Sequence, residues 1–342
     1  MGCGTHAVGR FFKCSEDLEM KKLAMTAIAA ATVLCAGAAQ AYQVGTFSNG
    51  VVVPNVIHNG PTDTTAVGLI NRSGAGAVRA VYWTFFDQDS NHVTDGCFPM
   101  TDSDYQPFVW SSESGTGLEG QRGYLVFALG TTAATATVAT ACSAASAVGI
   151  AAPGAGARLA ANAFQVDATN KDVAYIPVID GDLTLAAGSN LTTLGPTSLT
   201  AAGGAAAVGQ VMNMRYFIDG APGGTDTLIA VWSTGDQRGT HTVNMFDDKQ
   251  ARKSVNFKLD HQELDWFNPE TIPGRPAGFV DGFIEWKTGV VPGDYSTLPG
   301  AVPANALATA GGSVFTFSVI NSPAFGAVQT VLGAHHAGPA AP

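Results

Sequence analysis

Charge is scarce in this chain. Asp, Glu, Lys and Arg make up 13% of its 342 residues, about half of the roughly 25% usual in soluble domains. The basic sign is the scarcer, 17 Lys and Arg against 27 acids, for a net charge of −10. The clustered Lys and Arg that phosphates call for are missing, which excludes nucleic acid as a partner. Beyond the first forty residues no apolar run is long enough for a membrane-crossing helix, so no transmembrane segment is expected in the exported chain. No stretch there keeps a capped helical period either. Motifs of common enzymes are absent: no G-x-S-x-G, no H-E-x-x-H, no C-x-x-C. Gly220-Ala221-Pro222-Gly223-Gly224 lacks the Lys and following helix of a phosphate loop. Hydrophobic residues nevertheless reach 46% and the mean hydropathy is +0.16, so the chain has the material for a core.

The amino terminus reads as an export signal. Met20-Lys21-Lys22 precedes an apolar run from Leu23 to Gly37, and Ala39-Gln40-Ala41 gives a small-x-small cleavage site before Tyr42. Residues 20–41 are therefore expected to be removed on export, and residues 1–19 to be an upstream mis-assigned start. Cys35 follows Thr32-Val33-Leu34, which lacks the small residue a lipidated cysteine needs before it. Of five cysteines only Cys97 and Cys142 lie beyond residue 41. An isolated pair in an oxidising compartment is expected to form one disulfide.

What is present is strand chemistry. Runs such as Val81-Tyr82-Trp83-Thr84-Phe85-Phe86, Gly123-Tyr124-Leu125-Val126-Phe127 and Ser313-Val314-Phe315-Thr316-Phe317-Ser318-Val319 are bounded by Gly, Pro, Asn and Asp. They predict an all-β chain of antiparallel sandwiches. An internal repeat is also legible. Val52–Thr64 matches Met212–Thr227, each a strand, a polar turn and Thr-Asp-Thr; Phe85-Phe86-Asp87 matches Met245-Phe246-Asp247. Asp102 to Trp110 matches Asp260 to Trp266, and Gly123-Tyr124-Leu125-Val126 matches Gly278-Phe279-Val280. The offsets drift slowly, from 163 to 155, as loop deletions in a duplicated unit would make them. The expected organisation is two related Ig-like β-sandwich domains, residues 42–160 and 211–342, joined by a bridging segment, 161–210. Residues 131–161 and 200–209, rich in Ala, Thr, Gly and Ser, read as loops. A Cys97–Cys142 disulfide would pin the first of them.

One local motif has a metal rationale. Asp87, Asp89, Asn91 and Asp95 place oxygens along a tight loop, the donor type calcium takes. Against an EF-hand loop, position six is His92 and position twelve is Phe98, so the bidentate Glu is missing. A β-hairpin turn explains the same residues. The histidines His58, His92, His241, His261, His335 and His336 are scattered. Glu263 with Asp265, and Asp281 with Glu285, are carboxylate pairs of the kind glycosidases use, with no mark that singles one out. Trp83 and Trp232 sit in apolar runs and read as core. Trp110 and Trp266 read as a shared structural feature of the two repeats.

Asn71, the run Tyr82-Trp83-Thr84-Phe85-Phe86-Asp87, then Arg122-Gly123-Tyr124-Leu125-Val126 and the closing Gln329–His336 resemble a loose group of uncharacterised exported bacterial surface proteins built from β-sandwiches. The resemblance implies fold and location and brings no catalytic residues. The expected function is an exported, non-catalytic structural or adhesive protein of the cell envelope or extracellular space, with further copies of itself or envelope proteins as partners. A polysaccharide- or calcium-binding module stands second and a secreted hydrolase third. No cofactor is expected beyond the candidate calcium.

Overall fold

Alternating and continuous apolar runs decide which strands are buried on one face and which on both. The computed structural model describes residues 45–338 apart from 75, 77, 132–135, 154, 155, 170, 222 and 308–311. Residues 1–19 and 20–41, expected to be an upstream mis-assigned start and an export signal, lie outside the described residues. The chain is all-β, and every pairing between its strands is antiparallel.

The first half supplies β1 (Gly50–Val56), β2 (Asp63–Asn71), β3 (Val78–Asp87), β4 (His92–Thr101), β5 (Asp104–Val109), a single helical turn α1 (Trp110–Glu113), β6 (Gly123–Leu129), β7 (Leu159–Asp167) and β8 (Asp172–Ile176). Sheet A has the order β5-β2-β7-β8 and sheet B the order β1-β6-β3-β4. β8 and all but the first two residues of β7 fall within the stretch set aside as bridging, yet they complete sheet A. Two short strands, β9 (Leu183–Leu185) and β10 (Leu199–Ala202), pair with each other and lead into the second half.

The second half supplies β11 (Ala206–Ala207), β12 (Val211–Phe217), β13 (Asp226–Ser233), β14 (Gly239–Asp247), β15 (Arg252–Leu259), β16 (Leu264–Phe267), β17 (Asp281–Lys287), β18 (Ser313–Ser322), β19 (Ala327–Leu332) and β20 (Ala334–His336). Sheet C runs β16-β13-β18, with β19 and the short β11 both on β18; sheet D runs β15-β14-β17-β12-β20. Taken strand by strand, sheet C repeats the order of sheet A, and sheet D that of sheet B.

Local hydrogen bonds match as well. The Thr65 hydroxyl bonds both the N–H and the carbonyl of Ile57, and the Thr227 hydroxyl does the same with Phe217. The Asp87 carboxylate accepts the N–H groups of Asp89 and Asn91; the Asp247 carboxylate accepts those of Lys249 and Ala251. Ser90 and Gln250 each take a left-handed backbone in that turn, at φ 58° and 67°. The strand position of Gly123 is taken in the second half by Gly282, not Gly278: the two pair with Asp87 and Asp247. At both sites a Cβ would stand within 2 Å of a carbonyl oxygen, that of Phe86 or Phe246, while Gly278 has open space around it. Likewise Trp110 and Trp266 do not correspond. Trp110 lies in α1, one residue past β5, and is fully buried; Trp266 pairs with Ala230 inside β16.

β1, β3 and β6 are buried on both faces, which explains runs such as Gly123–Leu129 with no alternation. Inside the first sandwich Phe85, Trp83, Phe108 and Trp110 pack together, with Phe85 and Trp110 rings 4.4 Å apart. The other face of sheet B is covered from two directions. Sheet C turns Ile229, Val231 and Val314 into the second half's own core, while Ala230, Trp232, Leu264, Phe315 and Phe317 point the other way and join the core of the first half. The Ala-rich loop supplies the rest: Ala141, Ala147 and Ala151 are buried, and the Tyr82 hydroxyl bonds the carbonyl of Ser143 at 2.8 Å. Cys97 and Cys142 lie at disulfide distance, their Cα atoms 5.9 Å apart, and fasten this loop to β4.

Candidate functional site

Chemistry-bearing side chains converge where the second half meets the β3–β4 turn. The Gln88 carbonyl accepts the N–H groups of Glu263 and Leu264, and the Gln88 amide donates to the Leu264 carbonyl. Asp89 accepts the N–H of Gln262 at 3.0 Å and lies 3.4 Å from the Nδ1 of His261. Beneath this backbone clasp, the Tyr124 hydroxyl donates to the Glu263 carboxyl at 2.8 Å and meets the Ser90 hydroxyl at 2.7 Å. The Tyr124 ring stacks on Phe86 and meets the edge of Trp232, 5.9 Å away.

The electrostatics follow from burial. Glu263 is 3% exposed, and desolvation pushes its carboxyl up to about 8, so it carries its proton at neutral pH. The hydrogen bonds from Tyr124 and Ser90 oppose that shift and the Asp236 charge adds to it. The same burial, with the Glu263 charge beside it, raises the Tyr124 phenol. Asp265 is raised by burial too; it accepts backbone N–H groups from Asp260 and His261 and the Gln237 amide. Asp236 is held by the Arg238 guanidinium, with one N–H···O of 2.7 Å, and by the Tyr295 hydroxyl. A cavity of about 370 Å³ opens beside these groups, lined by Asp236 and Glu263, by Pro196 and Thr200 of the bridge, and by Asn305.

The expected calcium residues are placed one by one. Asp87 spends its carboxylate on the turn, accepting two N–H groups and the Asn91 amide. Asp89 faces the second half. Asp95 lies in β4 and pairs with His92 at 3.2 Å. The structure joins Asp87 to Asn91 and sends Asp89 and Asp95 to separate partners. Among the described residues no three His, Cys, Asp or Glu side chains form a metal-holding group. The histidines are equally dispersed: His58 bonds Ser114, His241 is buried against Trp286, and His335 bonds Gln210. Trp83, Trp110, Trp232 and Trp286 are buried, and Trp266 lies half-buried beneath the Arg122 guanidinium, 4.6 Å from it. None of the five forms an open platform for a sugar ring.

The chain matches no family model, no curated protein and no solved structure. Function therefore rests on the geometry. Glu263 and Asp265 were visible in the sequence as a carboxylate pair, but their partners were not. Tyr124 is 139 residues from Glu263 and Asp89 is 173 from Gln262. The one local signal of this joint is the unalternating run Gly123–Leu129, whose second apolar face has to be covered by something.

Proposed function

We propose that this is an exported, non-catalytic structural protein of the bacterial cell envelope or extracellular space, built from a duplicated β-sandwich. The observation that carries the reading is the use made of the acids where they converge. Glu263, Asp236 and Asp265 direct their oxygens to Tyr124, Arg238, Tyr295, Gln237 and backbone N–H groups. A general acid or nucleophile keeps a lone pair or proton free for substrate; here Glu263 ties the second half to Tyr124 of the first, and Asp236 and Asp265 brace the second half's side of that contact.

Matching strand orders, the paired threonine clasps and the paired aspartate turns support duplication. The Cys97–Cys142 pair suits an oxidising compartment. Cell fractionation followed by negative-stain microscopy of the exported protein tests the reading. Ordered assemblies in the envelope or medium are expected. A dispersed periplasmic monomer that turns over a substrate would refute it.

A further inference from the structure

The joint between the halves uses two surfaces, and each has a structural counterpart left open elsewhere in the chain. On the receiving side are the Asp87 turn and the stacked Phe86 and Tyr124 rings. Their counterparts are the Asp247 turn and the stacked Phe246 and Phe283 rings, 4.8 Å apart and half-exposed on the outside of sheet D. On the inserting side are the turn before β16, Leu264 and Trp232. The threonine clasps fix the correspondence: Ile70 stands five residues after Thr65, as Trp232 stands five after Thr227. Tyr105 faces Ile70 across the ladder as Leu264 faces Trp232. Leu264 and Trp232 are fully buried, whereas Tyr105 is 61% exposed. It stands on an open apolar face of sheet A with Pro107, Phe164 (38% exposed) and Val173 (55% exposed).

We propose that the chain assembles head to tail. The Tyr105 end of sheet A in one copy docks on the Phe246–Phe283 end of sheet D in the next, repeating the joint within the chain. This inference rests on the structural reading above and names the surface it uses.

Charge supports a second copy as the occupant. In the internal joint, Asp89 meets His261. The counterpart of Asp89 is Lys249, two residues into its turn, and the counterpart of His261 is Asp102, three residues before Tyr105. The contact of a carboxylate with an imidazole thus becomes, between copies, one of a lysine with a carboxylate, and the pair is complementary. By position Asp248 answers to Gln88, and Asp104 and Tyr105 to Glu263 and Leu264, so the backbone that meets in the internal joint has its counterpart on both surfaces. One element is lost: Phe283 has no hydroxyl to reach Asp104, as Tyr124 reaches Glu263. The contact between copies is therefore weaker than the internal one and more dependent on the charge pair. A surface that binds a different surface of the next copy does not stop at a two-fold dimer, and its product is a ring where the rotation closes and a filament where it does not.

Sedimentation of the purified exported chain over a range of concentrations, with microscopy of the largest species, tests this. Asp102→Lys and Lys249→Asp are each expected to raise the concentration for half-assembly at least tenfold. The double variant is expected to restore it to within about threefold, which a folding defect would not do. Raising salt should weaken assembly of the unaltered chain, and Tyr105→Ala should weaken it at every salt concentration. A monomer at all concentrations would overturn the proposal, as would a dimer that grows no further or a monomer that binds soluble polysaccharide through Tyr105. Assemblies untouched by either charge reversal would overturn this surface while leaving the structural reading standing.

Discussion

Replacing Glu263 with Gln isolates the proton held in the joint. The group's ordinary value is 4.5, and burial raises it to about 8 in the folded chain. Between those values the folded state holds a proton that the unfolded state has released. The stability linked to Glu263 is thus fully present below about pH 4.5 and is lost as pH rises through about 8. At about 1.4 kcal/mol per tenfold difference in proton affinity, the full loss is on the order of 5 kcal/mol. Glutamine keeps an oxygen to accept from Tyr124 and never ionises. At pH 5 the variant and the parent should agree to within about 1 kcal/mol.

By pH 9 the variant should be the more stable, by roughly 4–5 kcal/mol. At about 2.1 cal/mol/K of unfolding entropy per residue, this is a Tm difference of roughly 6–8 °C for a chain of about 300 residues. Asp265, also raised by burial, and Asp180, raised to about 6, titrate in both proteins, so their contributions drop out of the difference. Differential scanning calorimetry of both proteins from pH 5 to 9 supplies the curve. A flat difference, or a variant that melts first at pH 9, would refute the buried-acid account of the joint.

Three further outcomes are expected. Trp232→Ala should cost about 3–5 kcal/mol and lower one shared melting transition, because this second-half residue sits in the first half's core; two separate transitions in the parent would contradict that. Reducing the Cys97–Cys142 bond, which spans 45 residues, should cost about 4 kcal/mol by loop entropy and speed proteolysis of the Ala-rich loop; equal cleavage rates with and without reductant would count against the pinning role. Millimolar Ca²⁺ should leave Tm unchanged, since Asp87 is engaged by its own turn and Asp89 by Gln262; a rise in Tm with calcium would show that those bonds yield to the ion.

Strand content and the turns were legible because each is local; the Cys97–Cys142 pair, 45 residues apart, was legible because no other cysteine lies beyond residue 41. A β-branched run, an aspartate that caps its own turn and a threonine that clasps the preceding strand all leave a mark within ten residues. The glycine match failed for a physical reason. A glycine followed by an aromatic residue is common, and only the approach of a partner-strand carbonyl, from Phe86 or Phe246, distinguishes Gly123 and Gly282 from Gly278. The bridge was drawn too wide because β7 is only partly alternating, and its place beside β2 depends on pairing about 90 to 100 residues away in sequence. The joint itself was hidden, since Glu263 and Asp89 find their partners, Tyr124 and Gln262, in the other half. A carboxylate pair read from sequence says nothing about which hydroxyls will meet it.

The outer faces of sheets B and D show why two halves differ so much in what they ask of their surroundings. On sheet B the residues are Tyr82, Thr84, Phe86, Tyr124, Val126 and Ala128, and the face is buried. Strand by strand, sheet D answers with Thr242, Asn244, Phe246, Phe283, Glu285 and Lys287. Four of the six positions hold an uncharged polar or a charged side chain: Asn244 bonds Glu285 within the face at 3.4 Å, and the Lys287 ammonium donates to the carbonyls of Gly209 and Gly338. Such a sheet face can end a stack without exposing a large apolar patch. The two exceptions are the phenylalanines at the end where the internal joint makes its contact. A surface made only for solvent would have no use for that stacked pair, whereas a surface that receives Ile70 and Tyr105 of another copy needs apolar rings at those two positions and nowhere else.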